Sequence, residues 1–127
     1  MNKHFPYVFF RHTDTGGDFE PRGDGAPGIS IKILGNFLDT HNKRGCQTRL
    51  LRLDPGTITT EAHAHDYWEE IYMLEGEMTL TDGTDGEKTI GPNWFAARKP
   101  GVMHEPVHSE TGCLMIDFCW YEEEDGA

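Results

Sequence analysis

Residues 56–76 read Gly56-Thr57-Ile58-Thr59-Thr60-Glu61-Ala62-His63-Ala64-His65-Asp66-Tyr67-Trp68-Glu69-Glu70-Ile71-Tyr72-Met73-Leu74-Glu75-Gly76. His63 and His65 stand at i and i+2. On a helix their side chains would point about 200° apart, whereas on a strand they share a face. The segment from Thr57 to His65 is dense in β-branched Thr and Ile, so the extended reading holds and both imidazoles can address one ion. A turn near Asp66–Trp68 would make Glu69 the start of the returning strand, next to the histidine pair. Its parity puts Ile71 and Met73 on the same face as an apolar lining and sends Glu70 and Tyr72 outward. Glu69 is therefore the better ligand of the two glutamates.

Outward from this stretch the chain repeats one theme, short extended segments cut by turns. Ile29, Ile31 and Ile33 alternate with Ser30 and Lys32, a period of two. Thr48 to Leu53 is stopped by Asp54-Pro55-Gly56, with Pro and Gly where turns want them. Met78 to Thr81, Lys88 to Ile90 and Trp94 to Arg98 follow, separated by Asp82-Gly83, Asp85-Gly86, Gly91-Pro92 and Pro100-Gly101. In Cys113 to Tyr121 the larger apolar residues Leu114, Ile116, Phe118 and Trp120 share one face. Some eight to ten short strands at this spacing predict an all-β sandwich or barrel without helices. Residues 1–28 read as an arm and loop, with Phe5, Tyr7, Phe9 and Phe10 needing apolar cover; residues 29–121 as the barrel; residues 122–127 as an acidic tail.

Composition narrows the partners. The 127 residues fit one domain. Acidic side chains number 22 against 11 basic, a formal charge of −11, which repels phosphate backbones and anionic bilayers. No nucleic acid and no membrane are expected as partners, and no apolar run is long enough to span a bilayer. Apolar residues reach only 36% while aromatics reach 11%, so a compact core rich in rings is expected, with Trp94, Phe95, Phe118 and Trp120 in it. Three cysteines, an odd number without paired spacing, argue against a disulfide framework and for a cytoplasmic setting. Cys113 and Cys119 read as small buried hydrophobes.

A lone His-x-His decides little, since seven histidines in 127 residues give roughly 0.4 such pairs by chance. His104 shifts the balance: it follows Pro100-Gly101 by three residues, at the start of another extended segment that could close the same face. Three imidazoles and one carboxylate suit Fe(II), Mn, Ni, Co or Zn. Four protein ligands leave positions for water or substrate at five or six coordination. Glu61 shares the parity of the histidines and could accept a proton in the cavity, or be a solvated strand charge. Arg98 could hold an acidic substrate group, or be an exposed strand charge. His108 reads as a surface loop residue, and Asp117 as either a buried partner of a ligand histidine or an exposed charge.

Gly56, His63-x-His65, Glu69 and Gly76 resemble the first cupin motif, with six residues instead of five between Gly56 and His63. Pro100-Gly101-Val102-Met103-His104 resembles the second, with the proline moved next to the glycine. The contracted form, with Leu51-Arg52-Leu53-Asp54-Pro55-Gly56, is similar to small cupins related to the metal-binding domain of zinc anti-sigma factors, and to acetylacetone-cleaving dioxygenases. The resemblance covers residues 29–120. It implies a single-domain jelly-roll β-barrel holding one divalent metal ion per chain, with His63, His65, Glu69 and His104 as ligands and Fe(II) favoured over Zn, Mn, Ni or Co. In the diketone-cleaving members three histidines bind iron without the carboxylate. Two classes of function stay open. One is a metal-dependent enzyme acting on a small oxygenated molecule, as a dioxygenase or as a Lewis-acid isomerase or lyase. The other is a metal-stabilised ligand-binding or sensing module. A homodimer, with the N-terminal arm as its exchanged or interface element, completes the expectations.

Overall fold

The computed structural model describes residues 10–22, 27–59, 63–81, 86–104 and 106–122. Twelve strands follow one another among these residues: β1 (Glu20–Pro21), β2 (Ile29–Asn36), β3 (Cys46–Leu53), β4 (Thr57–Ile58), β5 (His63–Ala64), β6 (Trp68–Gly76), β7 (Met78–Thr81), β8 (Glu87–Ile90), β9 (Phe95–Arg98), β10 (Met103–His104), β11 (His108–Ser109) and β12 (Cys113–Trp120). They build a six-stranded sheet in the order β1-β2-β3-β12-β6-β9, a four-stranded sheet β4-β11-β7-β8, and the short ladder β10-β5, all antiparallel. This is the expected all-β jelly roll, and the described residues contain no helix. Within the span 1–28, Glu20–Pro21 form β1, which adds to the β2 edge at Glu20↔Ile31.

The core is Ile29, Leu51, Leu53, Met73, Met78, Ile90, Cys113 and Met115, with Ile31, Ile71, Leu80 and Val107 packed against it. Strand parity sorts the residues. Leu51 and Leu53 on β3, Met73 on β6, and Cys113 and Met115 on β12 share the inner face.

That assignment corrects the expected ring-rich core. Trp94, Phe95 and Phe118 are exposed, and Trp120 lies half-buried on the outer face, stacked on Trp68 with centroids 5.4 Å apart. The row Leu114-Ile116-Phe118-Trp120 points out because its alternate row contains Asp117, whose cationic partner sits on the inner face of β3. Burying a carboxylate beside an arginine and small apolar groups leaves the rings for the outside. Cys113 and Cys119 are buried and unpaired as expected, and burial pushes the Cys113 thiol up to about 11.

Gly76 closes β6 in the left-handed region, at φ 79°, and a Cβ there would overlap the Gly112 carbonyl oxygen. Replacement by alanine is expected to cost about 2 kcal/mol or more, combining the left-handed penalty of a side chain with displacement of the β11–β12 connection. Urea unfolding would show it as a lower midpoint at unchanged slope.

Candidate metal centre

The β5–β10 ladder brings the two halves of the sequence pattern together. His104 is the register partner of His63, and Met103 that of Ala64. Opposed residues of an antiparallel pair lie about 4.5–5.5 Å apart at Cα. The third histidine is tied to the same ladder, since the Gly101 N–H donates to the His65 carbonyl at 2.8 Å. The Pro100-Gly101 turn, in the left-handed region at Gly101, thus delivers His104 beside His63 and His65. Glu61 falls outside the described residues.

His65, Tyr67, Glu69, Arg98, Lys99 and Val102 line one cleft. The His65 ring stacks on Tyr67 at 4.6 Å with 9° between planes, and Tyr67 meets Tyr121 edge-on at 5.7 Å. The Tyr121 hydroxyl donates to Asp66 at 2.8 Å, and Lys43 lies 3.5 Å from the same carboxylate. These contacts hold the β5–β6 turn, and with it the imidazole plane of His65. Burial pushes the Tyr67 phenol up, which keeps it protonated across the physiological range.

Glu69 is 8% exposed and inward, whereas Glu70 faces out and accepts from the Trp120 indole N–H at 2.6 Å. The choice between them from parity agrees with the structure. Arg98 is the register neighbour of Glu69 on β9 and comes within 4.0 Å of its carboxylate, so it is half-buried against an acid instead of projecting as a strand charge.

Beneath Glu69 runs a polar layer across three strands. Arg49 on β3 donates through Nε to Asp117 on β12, and its Nη2 lies 3.6 Å from Glu69. The Cys119 thiol donates to the same Asp117 oxygen at 3.5 Å. Asp117 is fully buried, and its Oδ1 has no hydrogen-bond partner among the described residues. Burial and then the neighbouring Glu69 push its carboxyl up to about 7, against the opposite pull of Arg49. Of the two readings of Asp117 the buried one holds, with the Arg49 guanidinium instead of a histidine bonded to its carboxylate. Donor atoms of Glu69, Asp117 and Cys119 lie within 4.8 Å of one another, close enough to share a cation. Arg49 already compensates charge in that layer. His108 is exposed on β11.

Arg49 and Tyr67 are the site residues that sequence reasoning missed. A signal existed for Arg49: it alternates with Leu51 and Leu53, so it is a cation in the inward row of an apolar strand. Nothing in one sequence marks Tyr67 beyond its place two residues after His65.

The backbone sets His63 opposite His104 on one ladder, with His65 directly after it, and Glu69 lines the same cleft as His65.

Comparison with known proteins agrees on the fold. A family model described as the ChrR cupin-like domain matches residues 18–121. Among solved structures, an acetylacetone dioxygenase from Acinetobacter johnsonii is similar over 100% of this chain and 85% of its own, with TM-score 0.70 and 15% identity. An RmlC-like cupin from Shewanella frigidimarina matches over 100% of both chains, with TM-score 0.66 and 23% identity. KdgF from a Halomonas species covers 91% of this chain and 97% of its own, with TM-score 0.66 and 19% identity. No curated protein sequence matches. With a jelly roll whose histidine ladder lies between two glycine turns, and a family match over about four-fifths of its length, the chain belongs to the ChrR cupin-like family.

Proposed function

We propose that this protein is a metal-dependent cupin enzyme acting on a small oxygenated molecule, a mononuclear-metal dioxygenase with Fe(II) in a His63, His65, His104 and Glu69 site. The observation that carries the reading is the register pairing of His63 with His104 beside His65, at a cleft lined by Tyr67, Glu69, Arg98 and Lys99. Bound there, the ion would supply oxygen activation and Lewis acidity toward a substrate that offers two oxygens, such as an enolised dicarbonyl. The chain's own residues do the rest. Tyr67, held protonated, can donate to a substrate oxygen, and Arg98 and Lys99 at the cleft can orient a negatively charged oxygen. Glu61 is the proposed proton acceptor. The similarity to a structure described as an acetylacetone dioxygenase supports the substrate class. The odd count of three cysteines supports a cytoplasmic setting, and no helix among the described residues is long and apolar enough to cross a membrane.

A second reading, a metal-stabilised ligand-binding or sensing cupin without turnover, rests on the resemblance of the two motifs to the metal-binding domain of zinc anti-sigma factors. With zinc, manganese or nickel the same ligands would instead support isomerisation or lyase chemistry. Elemental analysis of protein purified without chelator or oxygen separates them, followed by oxygen uptake with dicarbonyl compounds. About one iron per chain with substrate-dependent uptake supports the dioxygenase. One zinc per chain, no uptake and no binding of azide or nitric oxide would overturn it in favour of a closed, sensing site.

Metal binding should also follow pH in one direction. Imidazole binds metal only when neutral, so protons compete below roughly pH 6.5, and affinity rises with pH up to about that value and then levels off. Metal retention after dialysis at pH 5, 6, 7 and 8 checks this. Full retention at pH 5 would count against histidine ligation.

A further inference from the structure

The charges lining the cleft leave a surplus cation. Glu69 enters from β6 with each carboxylate oxygen near a guanidinium: Arg49 Nη2 lies 3.6 Å from one, and Arg98 Nη1 lies 4.0 Å from the other. Asp117 beneath is bonded to Arg49. Two acids thus meet two arginines, and with both acids ionised that layer is neutral as a set. Lys99 directly follows Arg98, lines the same cleft and forms no ion pair among the described residues. Strand pairing turns Arg98 to the side of Glu69, and its side chain is only 21% exposed, so its charge acts in a medium less polar than water. His63, His65 and His104 bind a divalent ion only as neutral imidazoles, so they add no anion to offset it. We propose that the substrate is itself an acid, a dicarbonyl compound whose carboxylate is held by Lys99 and Arg98 while its two remaining oxygens face the histidines.

This rests on the dicarbonyl reading above and narrows it. A neutral diketone brings at most one negative charge, as its enolate, and leaves Lys99 without a counter-charge. A dioxo acid carries a second charge on the same short carbon chain. The surface at large repels such a molecule, since the chain has a net charge of −11, so an acid needs a local cationic pair to dock. Cations elsewhere are engaged within the fold. Arg11 and Lys32 donate to backbone carbonyls, Arg52 and Lys88 lie over the Phe19 and Trp94 rings, and Lys43 and Arg44 approach Asp66 and Asp39. Lys99 stands apart from them, at the metal cleft. The two side chains are complementary in kind: Arg98 offers a planar fork that matches a carboxylate, and Lys99 a flexible point charge. Val102, in the same lining, gives the carbon chain an apolar contact.

Isothermal titration of the metal-loaded full chain with acetylpyruvate and with its methyl ester tests the proposal. The two compounds differ in the charge of the carboxylate, and titration under nitrogen keeps oxygen chemistry out of the measurement. The acid should bind roughly tenfold or more tightly than the ester, the scale of one hydrogen bond to a charged group. That preference should shrink at high salt, because Lys99 is exposed. Lys99→Met should lower the ratio of the two affinities about tenfold, and Lys99→Glu should invert it. Arg98→Lys, which keeps the charge and loses the fork, should lower the ratio several-fold. Unchanged far-ultraviolet circular dichroism and metal content confirm that the variants are folded and loaded. Equal affinity for acid and ester overturns the proposal and leaves the dicarbonyl reading standing, as does a preference that survives both Lys99 substitutions. If neither compound binds the fully loaded protein, the dicarbonyl reading itself fails and takes this proposal with it.

Discussion

Replacing His104 with alanine is expected to strip the protein of its metal. The ladder places residue 104 opposite residue 63, and no other described histidine reaches that position, since His108 is exposed on the next strand. Loss of an outer partner of a metal ligand already costs 10–100-fold in affinity, and loss of a ligand should exceed that. Two readouts follow. Metal per chain after dialysis should fall well below that of the wild type. The rise in melting temperature on adding metal should also collapse, because stabilisation by a bound ion, about 2.7 kcal/mol at a hundredfold excess over Kd, vanishes when the ion no longer prefers the folded state. His108→Ala should leave both unchanged. A His104→Ala protein that keeps its metal would remove the second motif from the site.

The second large effect belongs to Arg49. Its guanidinium is the cation bonded to Asp117, a carboxyl with no exposed surface. Arg49→Met leaves that group buried without a counter-charge, which costs about 3–5 kcal/mol. The pH dependence has a definite sign. Asp117 in the fold titrates at about 7 against an ordinary 3.8, raised first by burial and then by Glu69. A raised carboxyl contributes stability that is fully present below the unfolded value and is lost as pH rises through the folded one. Removing the arginine lifts the folded value further. The deficit of the variant should therefore be smallest below about pH 7, where the carboxyl is protonated in both folded proteins, and should widen as the pH rises past 7. Replacing both partners with apolar groups, Arg49→Met with Asp117→Leu, should restore much of the loss. Urea unfolding at several pH values measures all three. An Arg49→Met protein as stable as the wild type at pH 8 would mean that the ion pair contributes nothing to the fold.

Much of the site was legible because a strand has a period of two and turns have few chemistries. His63 and His65 on one face, Glu69 rather than Glu70 inward, Ile71 and Met73 behind it, and the Pro100-Gly101 turn before His104 all follow from local rules, and the described structure agrees with the inward placement of Glu69, Ile71 and Met73. The same periodicity correctly divided β12 into two rows. It could not say which row is inside. By size and hydropathy Leu114, Ile116, Phe118 and Trp120 belong in a core, yet the inner row is Cys113, Met115, Asp117 and Cys119.

The deciding partner of that row is Arg49, 68 residues earlier in the chain and brought alongside only when β3 pairs with β12. The sequence by itself determined the strands, their turns and the histidine spacing, because each depends on residues a few positions apart. Tertiary structure alone decided the inner face, the Arg49-Asp117-Glu69 layer beneath the cleft and the ring-covered outer face. A buried charge is tolerated only beside its counter-charge, and strand pairing, not local sequence, determines which charges become neighbours.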